Sequence, residues 1–391
     1  MVGPQPRPRV EVVAIAAWTL LALGVVVRMF VERDPERNNV YLKVFAPAAR
    51  AFLEQRDLYD VDSGFRYPPL CAALFLPFEL CGARLGSVLW RAANFAALLW
   101  GAASVLRVGF PVVLGRGERA VFLLVLASLD LGSLNNGQPN PLILGFLLLA
   151  TTAWLRQRDA GCAVAVASSA WMKVYPLAYG MVLTALRPRL LLWLLPAIAV
   201  GLLLPFALRD PGYVAEQYGA LFAKLSAEDR TGDLSDAYRD LRLIGAVLGV
   251  PIAPVLFFAL QVIGGLGIVA LCFRLRAAGE HRARVLYFAF GLTMCWFMLL
   301  GPATELSTYS LFAPVLAWGL VLAWRQPRWS DRWPWIAANA LAVLSHVPVP
   351  RVQQLHYPMV RMFLPMASLI AAVALLADGL KAGWRRRVLV G

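Results

Sequence analysis

The chain has 391 residues, 60% of them hydrophobic and only 15% charged, with a mean hydropathy of +0.65, and that composition excludes an ordinary soluble domain. A net charge of +14 would suggest nucleic acid in a soluble protein. Here the basic residues lie in short turns between apolar runs and in the tail, so no nucleic-acid partner is implied and the chain reads as an all-α, polytopic membrane protein. The five cysteines, Cys71, Cys81, Cys162, Cys272 and Cys295, show no CxxC spacing. They suggest neither a disulfide framework nor a zinc site and read as packing residues.

Residues 10 to 31 form an apolar run of bilayer length behind Arg7 and Arg9, without a small-residue cleavage pattern. This predicts a retained signal-anchor helix with a cytoplasmic N-terminus. Further runs follow at 68 to 83, 86 to 106, 120 to 134, 141 to 155, 161 to 186, 190 to 208, 252 to 273, 285 to 301, 311 to 324, 335 to 347 and 363 to 380. Together they predict a bundle of about 11–13 transmembrane segments. Several are too short for a full span and carry prolines or polar dipeptides, which predicts broken or re-entrant helices. The segment 161 to 186 is either two half-helices joined near Lys173, or one run between 107 and 190 does not cross. Lys381, Arg385, Arg386 and Arg387 anchor the C-terminus in the cytoplasm. The whole chain, 1–391, reads as one integral domain of a cell membrane, with motifs in 10–210 and further helices in 211–391.

Of the 23 acidic residues, seven lie between Glu32 and Pro69 and seven between Arg209 and Arg242, which marks these two loops as the outward faces. In the first, Tyr41, Phe45, Ala48, Ala49 and Phe52 recur at helical spacing opposite Lys43, Arg50 and Glu54, and Pro47 suits a first turn. That pattern predicts an amphipathic interfacial helix. In the second loop Tyr213, Val214, Gln217, Tyr218, Leu221, Phe222 and Leu225 predict another.

Four polar groups interrupt apolar surroundings, where an ionisable side chain costs about 2.5 kcal/mol or more unless it is paired or hydrated. The first, SLDLGSLNNGQPNP, holds Asp130, Asn135, Asn136, Gln138 and Asn140; it is either a hydrogen-bonding cluster or a tight turn. The second, WMKVYP, holds Lys173 and Tyr175, the lysine being a natural phosphate partner or a snorkelling side chain. In the third, GPATELSTYS, Glu305 is a candidate general base or a helix cap. The fourth is Arg66-Tyr67-Pro68-Pro69, where the arginine could hold a phosphate bidentately. P-loop, dinucleotide, HExxH and GxSxG motifs are absent from the sequence, and His281, His346 and His356 are far apart in it. No cofactor or metal is predicted.

The order YLKVFAPAARAFLEQRDLYD, FRYPPLCAALFLPF, LNNGQPNPLILG and WMKVYPL resembles the family 87 membrane glycosyltransferases of the C-type superfamily. The layout is similar to that of polyprenyl-phosphate-mannose-dependent alpha-mannosyltransferases. The resemblance covers residues 10 to 210 and implies that a hexose, mannose first, passes from a polyprenyl-phosphate donor to a lipid or glycan acceptor at the non-cytoplasmic face, with inversion and without a nucleotide sugar. It also implies an aspartate base in the first loop, where this chain has Tyr41, a phenol poorly suited to the task. Asp34, Glu36 and Glu305 are the alternative bases, with Glu305 favoured because it stands alone in apolar surroundings. Lys173 and Arg66 are then the donor-phosphate residues, and Asp130, Asn135, Asn136, Gln138, Asn140, Tyr67 and Tyr175 the sugar-binding ones. A catalytically inactive lipid-binding relative and a lipid or sugar transporter remain as rival readings.

Overall fold

The computed structural model describes residues 9–60, 64–227, 237–302, 304–346 and 356–389. Arg7 and the acids between 228 and 236 lie outside the described residues, as do the side chains of His356, Arg385, Arg386 and Arg387. The protein is 80% helical and, among the described residues, without strands. Among the described residues, seven helical stretches are long and apolar enough to cross a membrane: Arg9–Val31, Ala83–Arg107, Pro188–Leu208, Pro254–Ala277, Arg282–Leu300, Leu306–Trp324 and Met359–Lys381. Shorter apolar helices at Pro69–Glu79, Asn140–Leu155 and Leu177–Leu186 correspond to the runs expected to be broken. The fold is therefore that of an all-α, multi-pass membrane protein.

The chain divides into two compact units. The motif unit comprises residues 21–104 and 131–229, and the C-terminal unit residues 1–20, 105–130 and 230–391. In the motif unit a π-helical turn, Tyr41–Phe45, leads directly into α2 (Ala46–Leu53), followed by α3 (Pro69–Glu79) and α4 (Ala83–Arg107); α1 is Arg9–Val31. After α5 (Arg116–Asn136) come α6 (Asn140–Leu155), α7 (Asp159–Met172), α8 (Leu177–Leu186), α9 (Leu191–Leu208) and α10 (Pro211–Ala227).

The first-loop helix has the faces its spacing predicts. Tyr41, Phe45, Ala48, Ala49 and Phe52 are buried while Lys43 and Arg50 are exposed. Its apolar face meets α3, where Phe45 stacks on Phe75 at 4.3 Å, and Trp90 of α4 stands edge-on to Phe75 at 4.5 Å. Such offset and edge contacts add to the stabilisation from area burial. Gly101 and Gly145 bring α4 and α6 backbone to backbone, since a Cβ at Gly145 would lie 2.3 Å from the Ala97 carbonyl oxygen. This is how small residues pack helices where lipid removes the hydrophobic driving force.

Helix α10 closes over the end of the first loop. Gln217 accepts from the Leu58 N–H at 2.8 Å, Tyr213 donates to the Arg56 carbonyl at 2.8 Å, and Lys224 donates to the Asp60 carbonyl at 2.8 Å. The two helices predicted in the outward loops thus belong to one unit, joined through the loop between them.

The C-terminal unit is built from α11 (Leu241–Val247), α12 (Pro254–Ala277), α13 (Arg282–Leu300), a 3-10 turn (Leu306–Phe312), α14 (Ala313–Trp324), α15 (Trp329–Leu344), α16 (His356–Arg361) and α17 (Phe363–Leu389). Trp318 is its centre, with Phe110, Phe122 and Phe290 rings at 5.0, 5.3 and 5.6 Å. Gly319 leaves the space in which the Trp335 ring lies.

Candidate active site

Helix α7 ends at Met172, four residues before Pro176, which has no N–H for the Met172 carbonyl and whose ring would crowd it in a continuing helix. Lys173, the C-cap residue, is extended at φ −149°, ψ 137°, and α8 begins at Leu177. The segment 161 to 186 is therefore two half-helices with Lys173 at the break. Its side chain is half-buried and donates to Asn140 Oδ1 at 3.2 Å. Tyr175 Oη donates to the same oxygen at 3.4 Å.

Asn140 is the first residue of α6 and wholly buried. Its Oδ1 serves two donors while Nδ2 has no partner. A buried amide left half-satisfied costs roughly 1–3 kcal/mol, and it lies at the N-terminus of α6, where the helix dipole is positive, although Pro141 has no N–H and the Leu142 N–H is already taken by Asn94. Cation, phenol, amide and helix end thus converge from two motifs 33 residues apart.

The preceding amides are arranged differently from a single cluster. Helix α5 continues through Asn136, so Asp130 and Asn135 are separated by about 140° around its axis. Asp130 is fully buried in the C-terminal unit beside Ser310. Asn135, Asn136 and Gln138 are half-buried at the turn into α6. Gly137, at φ +67°, allows that turn.

Of the first-loop residues, Tyr41 is completely buried, its Oη is without a partner, and a Cβ at Gly86 would lie 2.5 Å from that oxygen. Burial raises the phenol above its ordinary value, with Glu79 and Cys81 adding to the shift. Asp34 is exposed and accepts from the Glu36 N–H at 3.0 Å; Glu36 is exposed too. Arg66 is exposed. Tyr67 is half-buried, with its ring 5.0 Å from Phe45 and its carbonyl accepting from Tyr59 Oη at 2.6 Å.

Glu305, in the C-terminal unit, is the N-cap of the 3-10 turn in a capping box: its carboxylate accepts from the Thr308 N–H, and Thr308 Oγ1 accepts from the Glu305 N–H at 3.2 Å. The cap role anticipated for this acid is realised. A carboxylate accepts through both oxygens, so capping is compatible with a second task.

Reading polar interruptions from the sequence passes over Arg91 and Asn94. Both are fully buried in α4, and Arg91 donates to the Asn135 carbonyl from Nε at 3.2 Å and from Nη2 at 2.9 Å. The signal was present as an arginine inside the apolar run 86 to 106. Among the described residues no three His, Cys, Asp or Glu side chains gather as a metal-holding group.

A family model for glycosyltransferase family 87 matches residues 65–302, more than half of the chain. The chain belongs to glycosyltransferase family 87. The match begins at the FRYPP motif, takes in the Asn140–Lys173 cluster and reaches the loop before Glu305. It makes this protein a membrane glycosyltransferase, with sugar donor and acceptor as its substrates. No match to the chain is found among curated proteins.

Proposed function

We propose that this family 87 glycosyltransferase moves a hexose, mannose first, from a polyprenyl-phosphate donor to a hydroxyl of a lipid or glycan acceptor at the non-cytoplasmic face of the cell membrane. The observation that carries the reading is the meeting of Lys173 and Tyr175 on buried Asn140, whose Nδ2 is unpartnered. An ammonium at the positive end of a helix suits the phosphate monoester that leaves from a phosphodiester donor, and the spare amide donor suits a sugar or phosphate oxygen. The acceptor oxygen bonds to the anomeric carbon as the bond to the phosphate oxygen breaks. The electron pair leaves with polyprenyl phosphate, and the acceptor proton passes to a carboxylate. In this reading Lys173 steadies the developing phosphate charge, Arg66 meets the headgroup from the loop, and Asn135, Asn136, Gln138, Asn140, Tyr67 and Tyr175 address sugar hydroxyls. Glu305 is the preferred base, ahead of Asp34 and Glu36.

The test is transfer of labelled mannose from polyprenyl-phosphate mannose by the full chain in native lipid. Lys173→Met removes the charge while keeping much of the stem and is expected to slow transfer about 100-fold or more. Transfer that survives Lys173→Met removes the phosphate role. Retained donor binding without turnover, from every polyprenyl-phosphate sugar tried, would favour an inactive relative, to which buried Tyr41 in the expected base position lends support.

A further inference from the structure

Arg91 lies in a helix long and apolar enough to cross a membrane, is 2% exposed, and among the described residues has no carboxylate partner. A guanidinium in such surroundings is costly and is retained where it has a task. Its donors show what that task is. Nε and Nη2 hold the Asn135 carbonyl, Nη2 also donates to Asn39 Oδ1 at 3.1 Å, and Nη1 donates to the Ser87 carbonyl at 3.1 Å. Asn39 completes the connection by donating to Ser87 Oγ at 3.1 Å and to the Pro35 carbonyl at 2.9 Å. The guanidinium also fills the space beside Gly137, where a Cβ would lie 3.2 Å from its central carbon.

The neighbours on α4 extend the same pattern. Trp90 Nε1 donates to the Gly137 carbonyl at 2.8 Å, and Asn94 Oδ1 accepts from the Leu142 N–H at 3.1 Å. Ser87, Trp90, Arg91 and Asn94 have the i, i+3, i+4, i+7 spacing of one helix face. One end of this stripe holds the start of the first-loop helix through Asn39. The other end holds both sides of the α5–α6 turn, and with it Asn140.

We infer that Arg91 is a positioning residue that locks the α5–α6 turn to the first loop and so sets where Gln138 and Asn140 meet the donor sugar. The inference rests on the proposed role of that turn. Only a planar fork reaches the Asn135 carbonyl, the Asn39 amide and the Ser87 carbonyl at once; a lysine is a single point charge on a flexible stem. Arg91 touches no substrate in this account, and its effect passes through the backbone at Asn135 and Gly137.

The experiment compares wild type, Arg91→Lys and Asn39→Ala, each as the full chain in lipid nanodiscs. Backbone hydrogen exchange is followed over residues 134–142, alongside KM and kcat with polyprenyl-phosphate mannose. For Arg91→Lys, exchange in the turn is expected to quicken about tenfold while α7 and α9 hold their protection, and KM to rise about tenfold with kcat within about threefold. Asn39→Ala, which removes one leg of the clamp, moves both readouts in the same direction by less, and it decides the matter if Arg91→Lys does not fold. Unchanged turn exchange and unchanged KM in the folded variants overturn the inference. So does faster exchange spread evenly over the unit with KM intact, the mark of a general packing role. If wild type transfers from no polyprenyl-phosphate sugar, the functional proposal fails, while turn exchange still decides whether the clamp exists.

Discussion

Replacing Tyr41 with phenylalanine tests whether the residue at the expected base position is part of the chemistry or part of the core. The Tyr41 hydroxyl is buried without a partner, so removing it relieves a desolvation cost of about 1–3 kcal/mol. The opposing loss is small, because the vacated space beside Gly86 is below a methyl group in size and costs under about 1 kcal/mol. A net gain of about 1 kcal/mol follows, seen as a rise in Tm of about 1–3 °C for the protein in nanodiscs. Since burial raises the phenol above its ordinary value, Tyr41 contributes no ionisation to the pH profile of transfer near neutrality. Tyr41→Asp, which installs the residue expected from the resemblance, is expected to destabilise by about 3–5 kcal/mol. It puts a carboxylate among Phe45, Phe75 and Gly86, which are shaped around a ring. A lower Tm for Tyr41→Phe would refute the reasoning by showing that the hydroxyl has a partner. Transfer abolished at an unchanged Tm would refute it from the other side.

Glu305→Gln keeps an acceptor oxygen for the Thr308 N–H, so it separates proton acceptance from capping. Transfer is expected to fall about 100-fold or more with Tm nearly kept, whereas Glu305→Ala also loses about 1 kcal/mol of stability with the cap. Equal transfer in wild type and Glu305→Gln would move the base to Asp34 or Glu36. Gly145→Ala forces a methyl to 2.3 Å from the Ala97 carbonyl oxygen; backbone cannot yield as a side chain does, so a loss of about 1–3 kcal/mol is expected in thermal unfolding. Arg325 pairs with Glu118, Nε to Oε1 at 2.7 Å, and holds that carboxyl below its usual range. Because the folded-state value is depressed, the contribution is present above the unfolded value and is lost as pH falls through the folded one. For so exposed a pair it is worth about 0.2–1 kcal/mol. The Tm difference between wild type and Glu118→Gln should therefore be present at neutral pH and vanish in acid.

Helix positions and faces were largely legible, because hydropathy and spacing act locally. The buried set Tyr41, Phe45, Ala48, Ala49 and Phe52 follows from spacing alone, whereas the break at Lys173 was one of two open readings, since a proline need not end a helix and Pro196 and Pro205 lie inside α9. The π-helical turn at Tyr41–Phe45 was not legible, since one wider turn scarcely alters an apolar pattern. Asp130 and the amides that follow are close in sequence but do not share a helix face. Helix α5 does not end after Asp130, and continuation through Asn136 turns the acid to another face. Arg91 escaped because the apolar residues that dominate its run outweigh one cation in any average. Its partners Asn39 and Asn135 are 52 and 44 residues away, a separation at which sequence carries no geometric information.

What the structure adds to the motifs is the polarity of the helix ends that bear them. Helix α5 ends on carbonyls, and the Asn135 carbonyl receives the Arg91 cation, the favourable pairing for a helix C-terminus. Lys173 is in a mixed position. As the C-cap of α7 it is on the side a cation prefers, but its ammonium reaches Asn140 at the N-terminus of α6, where the helix end is itself positive. Asn140 Oδ1 moderates this by accepting from Lys173, while the amide's own Nδ2 has no partner. Ammonium, helix dipole and amide nitrogen are all electropositive, which favours an anion among them. Arg66, by contrast, is exposed on its loop, where solvent and salt screen a phosphate contact. The leaving-group phosphate should therefore depend on Lys173 more than on Arg66, and the rate lost in Lys173→Met should exceed that lost in Arg66→Met by about tenfold or more. Equal losses in the two variants would place the phosphate in the loop and leave the half-helix break without its proposed ligand.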